Sequence, residues 1–180
     1  KRRYDEAVSC WQDTLVRLPD YAPAHRLLGI YAWNKQHDAT AAMARLQRAV
    51  DIEPDNARFL FELDYLKKLT ATAASERLSL LETHMAVVMR RDDLTAELLS
   101  LWNSQGQYAA AAQILQTRQF HPWEGGEGKI TTQYALSLRE LGRAALAEGK
   151  ALEAEELLRR ALVFPHNLGE GKLEGAKDND

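Results

Sequence analysis

The chain is predicted to be an all-α solenoid of about nine antiparallel helices stacked in pairs, with two long glycine-rich loops between repeats. Three observations predict it. The stretch Phe120-His121-Pro122-Trp123-Glu124-Gly125-Gly126-Glu127-Gly128-Lys129 returns as Phe164-Pro165-His166-Asn167-Leu168-Gly169-Glu170-Gly171-Lys172, ending in the same Gly-Glu-Gly-Lys. Pro122 and Pro165, Gly126 and Gly169, and Gly106 and Gly149 are each 43 residues apart, so the copies belong to a repeating unit. Apolar residues recur three or four apart in runs that stop at proline or glycine, the period of amphipathic helices.

Composition narrows the function classes. Of 180 residues, 46% are hydrophobic and 27% charged, enough apolar material for a core. A net charge of −3 supplies no global attraction to nucleic acid or an anionic membrane. The single Cys10 leaves no disulfide framework, which fits an intracellular, cytoplasmic setting. No run approaches the roughly 18 apolar residues of a membrane span, and no signal-peptide pattern opens the chain. The first residue, Lys1, leads directly into a repeat in mid-pattern, so the sequence reads as a fragment of a larger protein.

Tyr4, Ala7, Trp11 and Thr14 lie on one helical stripe ended by Pro19. This spacing resembles the second helix of the tetratricopeptide repeat (TPR), a 34-residue helix-turn-helix unit with a Leu-Gly pair in its first helix and a closing proline. The resemblance implies a right-handed α-α superhelix without an active centre of its own. It divides the chain into units 1–21, 22–56, 57–91, 92–129 and 130–166, followed by an extended polar segment 167–180.

In the second unit Leu28-Gly29 stands in a first helix from about Ala22 to Lys35, and Asp38 is the expected N-cap of its partner. Ala42, Leu46, Ala49 and Pro54 keep the repeat's register but are displaced by one residue at the turn. The third unit runs from about Ala57 to Thr70 and from Ala74 to Met89. Arg77 and His84 fall there where small residues belong, predicting altered packing and a local change of curvature. In the fourth unit Asp92 or Asp93 is the expected cap, with Leu98, Leu99 and Trp102 leading to Gly106, then Tyr108, Ala111 and Leu115. The fifth, with Leu141-Gly142, Gly149, Ala154, Leu158 and Ala161, is the cleanest. Small residues mark where helix axes approach closely, and Gly106 and Gly149 suit left-handed helix ends.

On the TPR frame, partner recognition falls to the concave face, where Arg26, Ile30, Trp33, Arg58, Phe61, Tyr65 and Lys68 are expected. Aromatic area with basic groups suits an extended acidic or apolar peptide, so the expected partner is a protein. The competing reading places Trp33 and Phe61 in the core between repeats. The asparagine-rich clamp of chaperone adaptors is not matched, since Ile30 and Tyr65 stand in its place.

The glycine-rich loops offer a second site: His121, Trp123, Glu124, Glu127, Lys129, Asn167, Glu170 and Lys172. Trp123 would stack on a sugar ring and the carboxylates would bind hydroxyls or act in pairs, making a carbohydrate-binding or carbohydrate-processing accessory the alternative function. Against this, glycines permit the turn, Phe120 and Trp123 fill the gap between repeats, and a joint recurs with its repeat. A nucleotide cradle fails, because G-x-x-x-x-G-K-[ST] would need Gly where Trp123 stands and Ser or Thr where Ile130 stands. The five histidines lack metal-ligand spacing and no Ser-His-Asp or Cys-His grouping emerges. No metal, no cofactor and no enzymatic activity are expected. The loops also resemble the helical-repeat portion of large bacterial proteins whose N-terminal part is a β-rich, carbohydrate-related domain.

Overall fold

A computed structural model describes residues 3–169. Those residues form ten α-helices, and the chain separates into two compact units, Lys1–Arg91 and Asp92–Asp180.

The first unit holds α1 (Tyr4–Arg17), α2 (Ala22–Tyr31), α3 (Ala39–Ile52), α4 (Ala57–Leu69), α5 (Ala74–Thr83) and α6 (Met85–Val88). Two of these helices, α3 and α4, start behind short polar side chains that satisfy backbone N–H groups with no intrahelical partner. Asp38 accepts from Ala41 N at 2.9 Å to start α3, and Asn56 accepts from Arg58 N at 3.2 Å to start α4. Between α2 and α3 the chain makes a π-helical turn, Ala32–Gln36, ended by His37 in the left-handed region at φ 56°. Gly29 lets α3 approach: a Cβ there would lie 3.1 Å from Leu46 Cγ and 3.2 Å from the Ala42 carbonyl oxygen. Ala42, Leu46, Ala49, Val50, Phe59, Leu63 and Leu66 fill the core beneath.

The third pair of helices departs from that pattern. Leu63-Asp64 holds the position of Leu28-Gly29, 35 residues on, and Arg77 that of Ala42. Arg77 is buried after all: its Nε donates to Asp64 Oδ1 at 2.9 Å and its Nη2 to Oδ2 at 2.6 Å, with the side chains 8% and 1% exposed. Two parallel charge-assisted bonds satisfy a pair that would otherwise be costly inside. The single helix expected over 74–89 is broken at His84, the equivalent of the fully buried Ala49. A ring that cannot enter the alanine site folds back, Nδ1 donating to the Leu80 carbonyl at 2.9 Å. This break makes ten helices of the expected nine.

The second unit holds α7 (Asp92–Ser104), α8 (Tyr108–Thr117), α9 (Lys129–Ala147) and α10 (Ala151–Arg160), closed by a 3-10 turn at His166–Leu168. Its helix pairs are the regular ones. The α7 and α9 ends share one bond pattern 43 residues apart, Gln107 N to Trp102 O at 2.8 Å and Lys150 N to Ala145 O at 2.9 Å, behind Gly106 and Gly149 at positive φ. Asp92 is the first residue of α7, and Asp93 Oδ1 accepts from Leu94 N at 2.8 Å within its first turn. A polar knot joins α7 to α9: Ser137 Oγ donates to Asn103 Oδ1 at 2.9 Å, and Asn103 Nδ2 donates to Gln133 Oε1 at 2.9 Å. Leu168, within the segment 167–180 expected to be extended and polar, is 1% exposed; residues 170–180 lie outside the described residues.

Candidate functional site

The concave-face candidates fall on α2, the π turn that follows it, and α4. Ile30, Trp33, Asn34, Glu62, Tyr65, Leu66 and Leu69 line a depression of about 270 Å³, floored by Gly29 and Leu46. Its walls are apolar, and Tyr65 is half-exposed at 50%. Phe61 stacks on Tyr65 with centroids 6.0 Å apart and planes at 11°, and the Arg91 guanidinium lies 5.3 Å over the Phe61 ring. Lys68 is exposed on the same helix.

Glu62, absent from the sequence expectation, organises the charges. Arg26 Nε donates to its Oε2 at 2.6 Å, Arg26 Nη2 to Oε1 at 2.5 Å, and Arg58 Nε to Oε1 at 3.1 Å. Arg26 and Arg58 therefore arrive at the groove already bound to a carboxylate that is 20% exposed. The i, i+4 spacing of Arg58 and Glu62 was the available signal.

A second depression adjoins the first, of about 440 Å³, lined by Tyr4, Trp11, Leu27, Ile30, Tyr31, Asn34 and Lys35. Ile30 and Asn34 belong to both. The Lys35 ammonium sits 4.8 Å over the Tyr4 ring. His25, another titratable group in this unit, is structural: Nε2 donates to the Pro19 carbonyl at 2.8 Å and Nδ1 receives Arg45 at 3.3 Å.

The loop candidates divide. Trp123 lies half-buried on its own loop, where a Cβ at Gly126 would fall 2.3 Å from the indole. Glu124, Glu127 and Lys129 are exposed, with Lys129 opening α9 and Glu127 accepting from Gly125 N at 3.3 Å. The exposed His121 is held by Asp92, whose Oδ2 accepts its backbone N–H at 3.0 Å, while Asp92 Oδ1 pairs with Arg118. Asn167 is a clasp: its amide donates to the carbonyls of Leu115 at 2.9 Å and Arg118 at 2.8 Å, and its own carbonyl accepts Phe120 N at 2.7 Å. Phe120, 1% exposed, is sealed under the Arg118 guanidinium at 4.4 Å. Gly126 and Gly169 share a sequence position but not a task, since Gly169 turns at φ 71° against the Phe120 carbonyl. Glu170 and Lys172 lie outside the described residues.

Among the described residues no group of three His, Cys, Asp or Glu is placed to hold a metal ion, and no helix is long and apolar enough to cross a membrane. No protein-family model matches the chain. Two solved structures are similar to it. A crystal structure of MamA shares 16% identity over 88% of this chain and 86% of that one, with a TM-score of 0.51. A second, of MamA protein, shares 16% over 88% and 81%, with a TM-score of 0.52. At that identity the likeness concerns the fold, which is an all-α, TPR-like helical solenoid.

Proposed function

We propose that this protein is a non-enzymatic interaction module, a scaffold that holds a peptide segment of a protein partner in the groove formed by α2 and α4. The observation carrying this reading is the pair of adjoining, mainly apolar depressions on either side of Ile30 and Asn34, the first lined by Glu62 with its partners Arg26 and Arg58 and the second by Lys35. Trp33, Phe61 and Tyr65 supply contact area, and Lys68 extends the basic edge. Affinity capture with identification of the bound protein tests it. Tyr65→Ala should lower affinity for that protein by about tenfold, the loss typical of a truncated aromatic anchor, while Trp123→Ala leaves it unchanged. The reverse pattern would move the site to the loop.

The alternative is a carbohydrate-binding accessory role centred on the loop. It has one feature in its favour, the half-exposed Trp123 beside the exposed Glu124, Glu127 and Lys129. A glycan array with wild-type protein and Trp123→Ala decides it: hits that vanish with the indole support it, and a blank array ends it.

A further inference from the structure

The turn carrying Trp33, Asn34 and Lys35 is one residue longer than its counterparts, and the surplus is inside the helix. At the ends of α4, α7 and α9 the closing bonds join residues five apart: Thr72 N to Lys67 O at 2.9 Å, Gln107 N to Trp102 O at 2.8 Å and Lys150 N to Ala145 O at 2.9 Å. At the end of α2 the bond runs from Asp38 N to Ala32 O, six residues apart, at 3.0 Å. Spacing agrees with this: the contact made by Gly29 and Ala42, thirteen residues apart, is made by Gly142 and Ala154, twelve apart. Asp64 and Arg77 are also thirteen apart, yet that pair keeps an ordinary helix end and places its surplus in the loop after Ala71. An added loop residue costs little, whereas π turns are rare and concentrate at functional sites.

The π turn lays Asn34 on the ridge common to both depressions, with Trp33 lining one and Lys35 the other. Asn34 is exposed, and its amide has no protein hydrogen-bond partner among the described residues. The Lys35 ammonium meets the Tyr4 ring and, among those residues, no carboxylate. Among the described residues that line the two depressions the charged ones are Glu62 and Lys35, and Glu62 is bonded to two cations, Arg26 and Arg58, which leaves the cluster net positive. That surplus is complementary to an acidic ligand. An amide offering both donor and acceptor matches an extended backbone, which presents one of each per residue. Two apolar depressions side by side match alternate side chains of such a chain, because these lie on one face.

We propose that the π turn Ala32–Gln36 sets the selectivity of the groove: Asn34 hydrogen-bonds the backbone of an extended acidic segment of a partner protein, whose alternate apolar side chains enter the two depressions. This rests on the reading of the groove as the partner site.

The test is fluorescence anisotropy with a labelled peptide of alternating Asp and Leu, an alternating Lys and Leu peptide, and a helix-forming peptide of Asp and Leu. The alternating acidic peptide should bind best. Asn34→Ala should weaken it by about tenfold, as loss of backbone hydrogen bonds requires. Deletion of Gln36, which restores the twelve-residue spacing of the α9/α10 pair, should weaken it at least as much while the far-ultraviolet circular dichroism stays the same. Preference for the basic or the helical peptide overturns the proposal, as does sedimentation showing a dimer that Asn34→Ala dissolves, which would assign the groove to a second copy. If Tyr65→Ala weakens binding but Asn34→Ala and the deletion do not, the π-turn inference falls and the groove reading stands. If none of the three weakens it, the groove reading falls too.

Discussion

Helices α2 and α3 meet at Gly29 and Ala42, while 35 residues on Asp64 and Arg77 hold the same positions between α4 and α5. The first pair achieves its approach by having almost no side chain at the crossing. The second fills the crossing with a matched ion pair and keeps Leu81, the counterpart of Leu46, fully buried. A second departure lies about two turns on, where Ala49 allows α3 to continue and His84 breaks the helix. The difference teaches that the repeat specifies a satisfied crossing rather than a particular residue, and that departures from it come as coupled pairs.

The largest expected effect removes half of such a pair. Arg77→Ala leaves the Asp64 carboxylate buried without its bidentate donor and should cost about 3–5 kcal/mol in urea unfolding. The double variant Asp64→Gly with Arg77→Ala copies the α2/α3 crossing and should recover most of that loss. Failure to recover would break the comparison. Next, Ala154→Leu should cost about 1–3 kcal/mol, because the α9/α10 crossing at Gly142 leaves no room for a branched side chain. Ala42→Leu should match it if the two crossings are equivalent.

These crossings also separate what was legible in the sequence from what was not. Helix limits were readable where one residue type serves one local need, as at Asp38 capping α3 and Gly106 and Gly149 ending α7 and α9. The displacement by one residue before Ala42 was visible, but its accommodation in a π turn was not, since loop and helix absorb an extra residue equally well on paper. Arg77 stood out as too large, whereas Asp64 did not, because a single carboxylate on a helix gives no sign of facing inward. Asn103, Gln133 and Ser137 were silent for the same reason: their partners are 30 or more residues away. Trp33 and Tyr65 were assigned to the groove from the repeat frame, and Glu62, three residues before Tyr65 on α4, was overlooked. Equal spacing overstated the likeness of the two loops, which is why Asn167 read as a ligand although its amide closes the second unit.

A smaller effect sharpens that last point. Asn167→Ala strands two backbone carbonyls and should cost about 1–3 kcal/mol by thermal unfolding, while Glu124→Ala in the neighbouring loop leaves stability unchanged. The smallest concerns the exposed turn after α9, where a hydrogen bond from Lys150, then its charge, holds the Glu148 carboxyl below the usual carboxylate range. A depressed carboxyl contributes above its unfolded pKa and loses that contribution as pH falls through the folded one. Lys150→Ala should therefore differ slightly from wild type at neutral pH and not at all in strong acid, as melting curves at both pH values would show.

Backbone amide chemical shifts during titration with the alternating Asp and Leu peptide test the central claim most directly. The account predicts that the perturbed amides cluster at Ile30, Trp33, Asn34, Lys35, Glu62 and Tyr65. Perturbations confined to His121–Lys129, with that cluster unmoved at saturation, would contradict it.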